Sequence, residues 1–238
     1  MKRIIFFAAS LLFITIASAQ KTVISDPNAE VRNAKGFHAI EVSHAINLYL
    51  SQGDEEAVAV SAKDTKYRDR IKTEVKNGVL KIWYDNEGWR WDNGNKQLKA
   101  YVSFKSLDKI TASGASDVAV DGIISGDKLD LGLSGASDFK GAVKLNELNL
   151  DQSGASDVTI KGSVGNLTIE ASGASDVKGY DLVTDNCKAR ASGASDIKIS
   201  VNKELIAHAS GASSINYKGT GVIRELHSNG ASSVSKED

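Results

Sequence analysis

The chain has 238 residues, with 29 Lys and Arg against 30 Asp and Glu, 21 Gly, one Pro, one Cys and 6% aromatics. That length is ample for a continuous core. The charge balance argues against nucleic-acid binding through bulk positive charge, and a lone Cys excludes both an intramolecular disulfide and a CxxC zinc site.

Met1-Lys2-Arg3 is a short basic start, followed by the nearly continuous apolar run from Ile4 to Ile16. Ala17-Ser18-Ala19 then offers the small-x-small pattern that a signal peptidase reads, so residues 1–19 are expected to be a signal peptide and Gln20 the first mature residue. The apolar run spans about 13 residues, short of the roughly 20 that a membrane-spanning helix needs. An exported protein with no later membrane span is the expectation, located in the periplasm, on the outer surface or outside the cell.

Residues 20–112 form an N-terminal region with 15 basic and 13 acidic groups, whereas residues 113–238 carry 12 and 17. In the first region, 37–42, 46–51, 57–62, 79–84 and 98–104 alternate apolar and polar residues, as half-buried strands do. Asp64 to Ile71 is a candidate short helix capped by Asp64, and Asn77-Gly78 is a hairpin signal. These strands are expected to be less regular coils that close one end of the repeat array. The segment from Trp83 to Asn95 holds every Trp of the protein. Trp83, Trp89, Arg90 and Trp91 are candidate sugar-stacking or protein-contact residues, although indoles folded back over the end of the array are the favoured reading.

Past Ala112, Ser113-Gly114-Ala115-Ser116-Asp117 recurs at 134–138, 153–157, 172–176 and 192–196, then as SGASS at 210–214 and NGASS at 229–233. The first residues are spaced by 21, 19, 19, 20, 18 and 19. A fixed period near 20 marks a solenoid, in which each repeat buries its apolar face against its neighbours. With the first residue of each pentapeptide as position 0, positions −5, −3 and −1 read Leu129/Leu131/Leu133 or Leu167/Ile169/Ala171, and positions +5 and +7 read Val118/Val120 or Val158/Ile160. Both flanks thus have strand periodicity, with short turns such as 161–166 between them. The predicted fold is all-β, a single-stranded right-handed parallel β-helix with coils of about 19–20 residues. Gly at +1 permits the bend. Either Ser at +3 or Ala at +2 points inward, and the sequence does not choose.

Five Asp at +4 (Asp117, Asp138, Asp157, Asp176 and Asp196) are expected to align as a column. Unit charges spaced by about 4.8 Å repel by roughly 1 kcal/mol in water, so the column must be solvated, hydrogen-bonded or neutralised. Calcium is one candidate partner. The favoured reading is a solvated column that caps turn N–H groups, with Lys140, Lys178 and Lys198 at +6 as neutralising neighbours. Cys187, at a −5 core position, reads as a small buried hydrophobe.

The chain resembles the putative auto-transporter adhesin, head GIN domain family through Phe37-His-Ala-Ile-Glu-Val42, Ala45-Ile-Asn-Leu-Tyr-Leu-Ser-Gln-Gly-Asp54, Val75-Lys-Asn-Gly-Val-Leu-Lys-Ile82 and the Ser-Gly-Ala-Ser-Asp repeats. Ala45 stands where the family's Gly-Ile-Asn motif has Gly. The resemblance implies exported proteins of Bacteroidetes type, a right-handed β-helix and an adhesin-like role, and it brings no catalytic residues.

The resulting expectation is a non-enzymatic surface protein that binds a glycan or protein partner along one side. The alternative is a polysaccharide lyase or glycosidase, for which the identical column carboxylates give no division of acid and base roles. His38, His44, His208 and His227 show no metal-ligand spacing in the linear sequence.

Overall fold

The computed structural model describes residues 26–86 and 95–238. The expected signal peptide, Trp89, Arg90 and Trp91 lie outside the described residues.

The fold is a β-solenoid of about seven stacked parallel coils. In the repeat half, each long strand runs through most of one coil: β10 Ile124–Leu133, β11 Phe139–Gln152, β12 Asp157–Ala171, β13 Asp176–Ala191 and β14 Asp196–Gly211. They are preceded by β8 Lys109–Ala112 and β9 Val118–Asp121, and followed by β15 Ser214–Lys218, β16 Val222–Gly230 and β17 Ser233–Lys236. Each coil pairs in parallel with the next. Leu129 opposes Leu148, Leu148 opposes Leu167, Leu167 opposes Cys187 and Cys187 opposes Leu205. Three ladders make up a coil. One precedes the pentapeptide, one follows it, and a third runs through 143–145 and 162–164. The third corrects the expectation of turns at 161–166: Gly162, Ser163 and Val164 pair with Val143, Lys144 and Leu145 as strand. Val143 and Val164 are buried there, so this side of the coil also lines the core.

Unequal coil lengths are absorbed by bulges. Asp157 opposes Asp176 at a spacing of 19, but Gly162 opposes Leu182 at 20, with a register shift between.

The N-terminal half completes the stack in an order that differs from chain order. Its strands are β1 Glu30–Arg32, β2 Ala39–Val42, β3 Asn47–Gln52, β4 Ala57–Ser61, β5 Ile71–Lys76, β6 Val79–Tyr84 and β7 Lys99–Phe104. The single helix of the described residues, α1 Thr65–Arg68, is capped by Asp64, whose side chain accepts from the Lys66 N–H at 3.0 Å. The first coil in sequence, β2 and β3, lies inside the stack. It pairs with β8 and β9 on one side and with β6 and β7 on the other. Antiparallel β5, β4 and β1 then cover the outer edge. These antiparallel strands cap this end, with β1 and β5 as its edge strands, while β16 and β17 form the opposite edge.

One hydrophobic cluster runs through the solenoid from Ala34 to Tyr217. Ser116, Ser137, Ser156, Ser175, Ser195 and Ser213 are buried, whereas Ala at +2 is exposed in every repeat. Serine is the inward residue. Each hydroxyl from Ser137 to Ser213 donates to the carbonyl at position 0 of its own pentapeptide, as in Ser175 to Ser172 at 2.8 Å and Ser195 to Ser192 at 2.7 Å. A small polar side chain at the corner thus satisfies a backbone acceptor that the bend turns away from the ladder.

Candidate functional site

Strand alternation that sends −5, −3 and −1 inward sends −4, −2 and 0 outward. In consecutive coils position −2 is Glu41, Thr111, Gly132, Asp151, Glu170, Arg190, His208 and His227, and position 0 is Ser43, Ser113, Ser134, Ser153, Ser172, Ser192, Ser210 and Asn229. Parallel register stacks these as rows along one side of the solenoid, since Thr111 opposes Glu41 and Gly132, and His227 opposes His208.

A cleft lies at each end of this side. Near the capped end, Glu41, Ser43, His44, Lys81, Trp83, Thr111 and Ser113 line a depression of about 250 Å³. Half-buried Trp83 projects outward from β6 beside the 3.3 Å ion pair of Lys81 with Glu41. Near the open end, a polar groove of about 630 Å³ runs over Asp151, Glu170, Arg190, His208 and His227, with Ser172, Ser192 and Ser210 along it. Arg190 bridges to Glu170 of the preceding coil at 3.2 Å.

At the end of this groove the winding brings together residues that look unrelated in sequence. His208 Nε2 and His227 Nε2 lie 2.9 and 3.0 Å from the same oxygen, Oε1 of Glu225. The two rings meet edge to face with centroids 4.8 Å apart. Hydrogen bonding from His208, followed by the field of the two imidazoles, holds the Glu225 carboxyl below its ordinary range. Among the described residues this is the one group of three or more His, Cys, Asp or Glu ligand atoms within 4.8 Å of one another. The linear sequence has no metal-ligand spacing here, and the winding supplies the proximity. The signal was available, because His208 and His227 both occupy position −2 and lie 19 residues apart, one coil length.

The Asp column occupies another corner and is exposed or half-exposed. Lys178 pairs with Asp157 and Lys198 with Asp196, each at 3.0 Å. Asp138 accepts from the Asp157 N–H at 3.1 Å. Asp196 also accepts from Ser214 and Asn216, which take over where the Asp repeat ends. Partial desolvation, and then repulsion from Asp138, push the Asp117 carboxyl above its ordinary range. Each lysine at 178 and 198 is shifted up, chiefly by the hydrogen bond to its Asp. Cys187 is fully enclosed, and its burial pushes the thiol far up, so it packs as a hydrophobe and is no candidate nucleophile.

A sequence model of the putative auto-transporter adhesin, head GIN domain matches residues 36–221. The chain belongs to that family. No curated protein matches it significantly. Several solved structures share its fold. A putative adhesin from Bacteroides fragilis is similar at TM-score 0.82 and 21% identity, covering 88% of this chain and 96% of that one. A putative adhesin from Parabacteroides distasonis is similar at TM-score 0.70 and 19% identity, over 88% and 96%. A putative lipid binding protein from Parabacteroides distasonis is similar at TM-score 0.60 and 18% identity, over 90% and 98%. Membership of the family supports an adhesin-like surface role. Among the described residues, no helix is long and apolar enough to cross a membrane.

The family's Gly-Ile-Asn motif acquires a structural meaning here. Ser43-His44-Ala45-Ile46-Asn47 is a diverged pentapeptide that stacks on Ser113–Asp117: the Ser113 N–H donates to the Val42 carbonyl at 3.0 Å, and the Ile46 N–H to Ser116 Oγ at 3.3 Å. Ile46 fills the inward +3 position with a buried hydrophobe. His44 and Ala45 turn the corner with φ of 66° and 60°.

Proposed function

We propose that the chain is an exported, non-enzymatic adhesin of the head GIN type that docks an extended glycan along the side carrying positions −2 and 0. The observation that carries this reading is the outward row itself. One polar residue per coil repeats over the length of the solenoid, with Trp83 at one end and the Arg190–His208 groove at the other. A polysaccharide presents hydroxyls at a regular repeat and apolar faces suited to an indole, and equivalent positions stacked on a rigid frame match such a ligand without a deep pocket. Trp89, Arg90 and Trp91 lie outside the described residues, and in this reading they extend the contact.

The lysine partners of Asp157 and Asp196 favour an ion-paired, solvated column over one that gathers calcium. The family's adhesin description does not favour a polysaccharide-cleaving enzyme.

A glycan array probed with the chain from Gln20 onward, which contains every described element, tests the proposal. Binding is expected, and it should weaken at least about tenfold when Trp83→Ala or Arg190→Ala removes an anchor of a type that dominates contact energies. Release of new reducing ends from a bound polysaccharide would replace the adhesin reading with the enzyme. Binding that tracks only immobilised protein would replace the glycan as partner.

A further inference from the structure

We infer that His208, Glu225 and His227 form a binding site for a zinc-type divalent ion at the open end of the solenoid. Two imidazoles and a carboxylate are the donor set that zinc takes when three protein ligands leave a further position open. The positions follow from the coil. His208 on β14 and His227 on β16 are direct neighbours across a parallel ladder, which holds their backbones about 4.8 Å apart. Glu225, two residues before His227, projects from the same side of β16.

Ligand atoms bound at about 2.0–2.1 Å to a tetrahedral zinc lie about 3.3 Å apart. The two histidine-to-glutamate separations are 2.9 and 3.0 Å, and all three ligand atoms lie within 4.8 Å of one another, so rotation of these exposed side chains brings the triad around an ion. Both Nε2 atoms face the same carboxylate oxygen, so an ion takes the place between them when the exposed Glu225 side chain swings back and the bridging protons move to Nδ1 or to solvent. The side chains of His208, Glu225 and His227 are 29%, 49% and 61% exposed, which leaves an entry path and an open position facing the groove. Arg190 does not compete for the triad, since its guanidinium is paired to Glu170.

The location also gives the ion a structural effect. β16 is exposed along nearly its whole length and pairs with β14 alone. A metal held by one residue of β14 and two of β16 staples the terminal coil to the body of the solenoid.

Titration of the metal-free chain from Gln20 with zinc chloride by calorimetry, and with cobalt chloride by visible absorption, tests the site. One equivalent of each metal is expected to bind, with the cobalt bands of a four- or five-coordinate nitrogen–oxygen site. Affinity should drop at least about tenfold in His227→Ala and in Glu225→Gln, as loss of a ligand exceeds the usual effect of losing a ligand's supporting partner. His38→Ala should leave it unchanged, and unaltered circular dichroism establishes that the exposed substitutions fold. Zinc should raise the melting temperature of the parent chain and not of His227→Ala. Failure of the parent chain to bind, or binding that survives the His208→Ala/His227→Ala double change, overturns the assignment.

Discussion

A carbonyl oxygen of the preceding coil occupies the space that a side chain at Gly193 would need. Gly193 has φ of 76°, and a Cβ built there would lie 2.6 Å from the Gly173 oxygen. That oxygen accepts from the Ala194 N–H at 2.7 Å, so it cannot move without loss of a ladder bond. Gly193→Ala should therefore cost about 1–3 kcal/mol from backbone strain and displacement, read as a lower urea midpoint. The opposite change is expected in the diverged first corner. Ala45 holds φ of 60° with a Cβ in place, a conformation that disfavours side chains by about 1–2 kcal/mol. Ala45→Gly restores the family residue and should raise stability by about 0.5–1 kcal/mol after the larger unfolded-state freedom of glycine is deducted. A lower midpoint for Ala45→Gly would mean that the methyl group packs to more effect than the strain it carries. The glycine column is legible from sequence because its spacing repeats. The corner at 43–47 is not, because only its first serine and its alanine at +2 survive from the pentapeptide.

Between coils, charge is managed by pairs one repeat apart. Arg190 meets Glu170, Arg224 meets Glu204, Lys128 meets Glu147 and Lys178 meets Asp157. Such exposed pairs each add little, but they remove the penalty of stacking like charges in register. Asp117 differs from the paired Asp157 and Asp196. It stands next to Asp138 and makes no ion pair among the described residues, and desolvation and that neighbour raise its carboxyl above the ordinary value. A raised acidic group binds its proton more tightly folded than unfolded, so stability falls as pH rises from the ordinary carboxylate range, near 4, through the folded value. At neutral pH the ionised Asp117 is thus a small liability. Asp117→Asn should raise the melting temperature at pH 7, and the gain should vanish below about pH 4, where the parent carboxyl is protonated as well. A gain of the same size at pH 3 and pH 7 would assign the effect to packing instead of charge. The alignment of this column could be read from the repeat, but its pairing could not. Lys178 reaches back to the previous coil, whereas Lys198 turns to Asp196 two residues away on its own strand, a choice made by rotamers and not by spacing.

At the scale of the molecule, the repeat spacing reveals a solenoid but not the order in which its first coils stack. That β2–β3 lies inside β6–β7 depends on β4, α1 and β5 carrying the chain outward and back, a tertiary decision with no periodic signature. The histidine site was hidden for a related reason: residues 19 apart become neighbours only once the period is taken as a distance in space. The same stacking makes stability uneven along the axis, because each coil is held only by its neighbours. Core side chains shrink toward the open end, from Leu129/Leu131/Leu133 to Leu205/Ala207/Ala209, all still buried. In β16 the −3 residue Leu226 is 45% exposed, against 1% for Ile169 in a central coil. Ile169→Ala should therefore cost about 2–5 kcal/mol through a cavity that central coils cannot close, whereas Leu226→Ala should stay within about 0.5 kcal/mol. Amide exchange gives the direct map: in the metal-free chain, β16 and β17 should lose protection by local fraying well before Val158 or Ile169, which open only with the core. The capped end should behave differently, since antiparallel β1, β4 and β5 pair along it, and Leu80 and Ile82 in β6 are buried in the core. Exchange that starts at β6 and spreads inward would show that this cap does not protect the stack, and that the solenoid opens from its first coil.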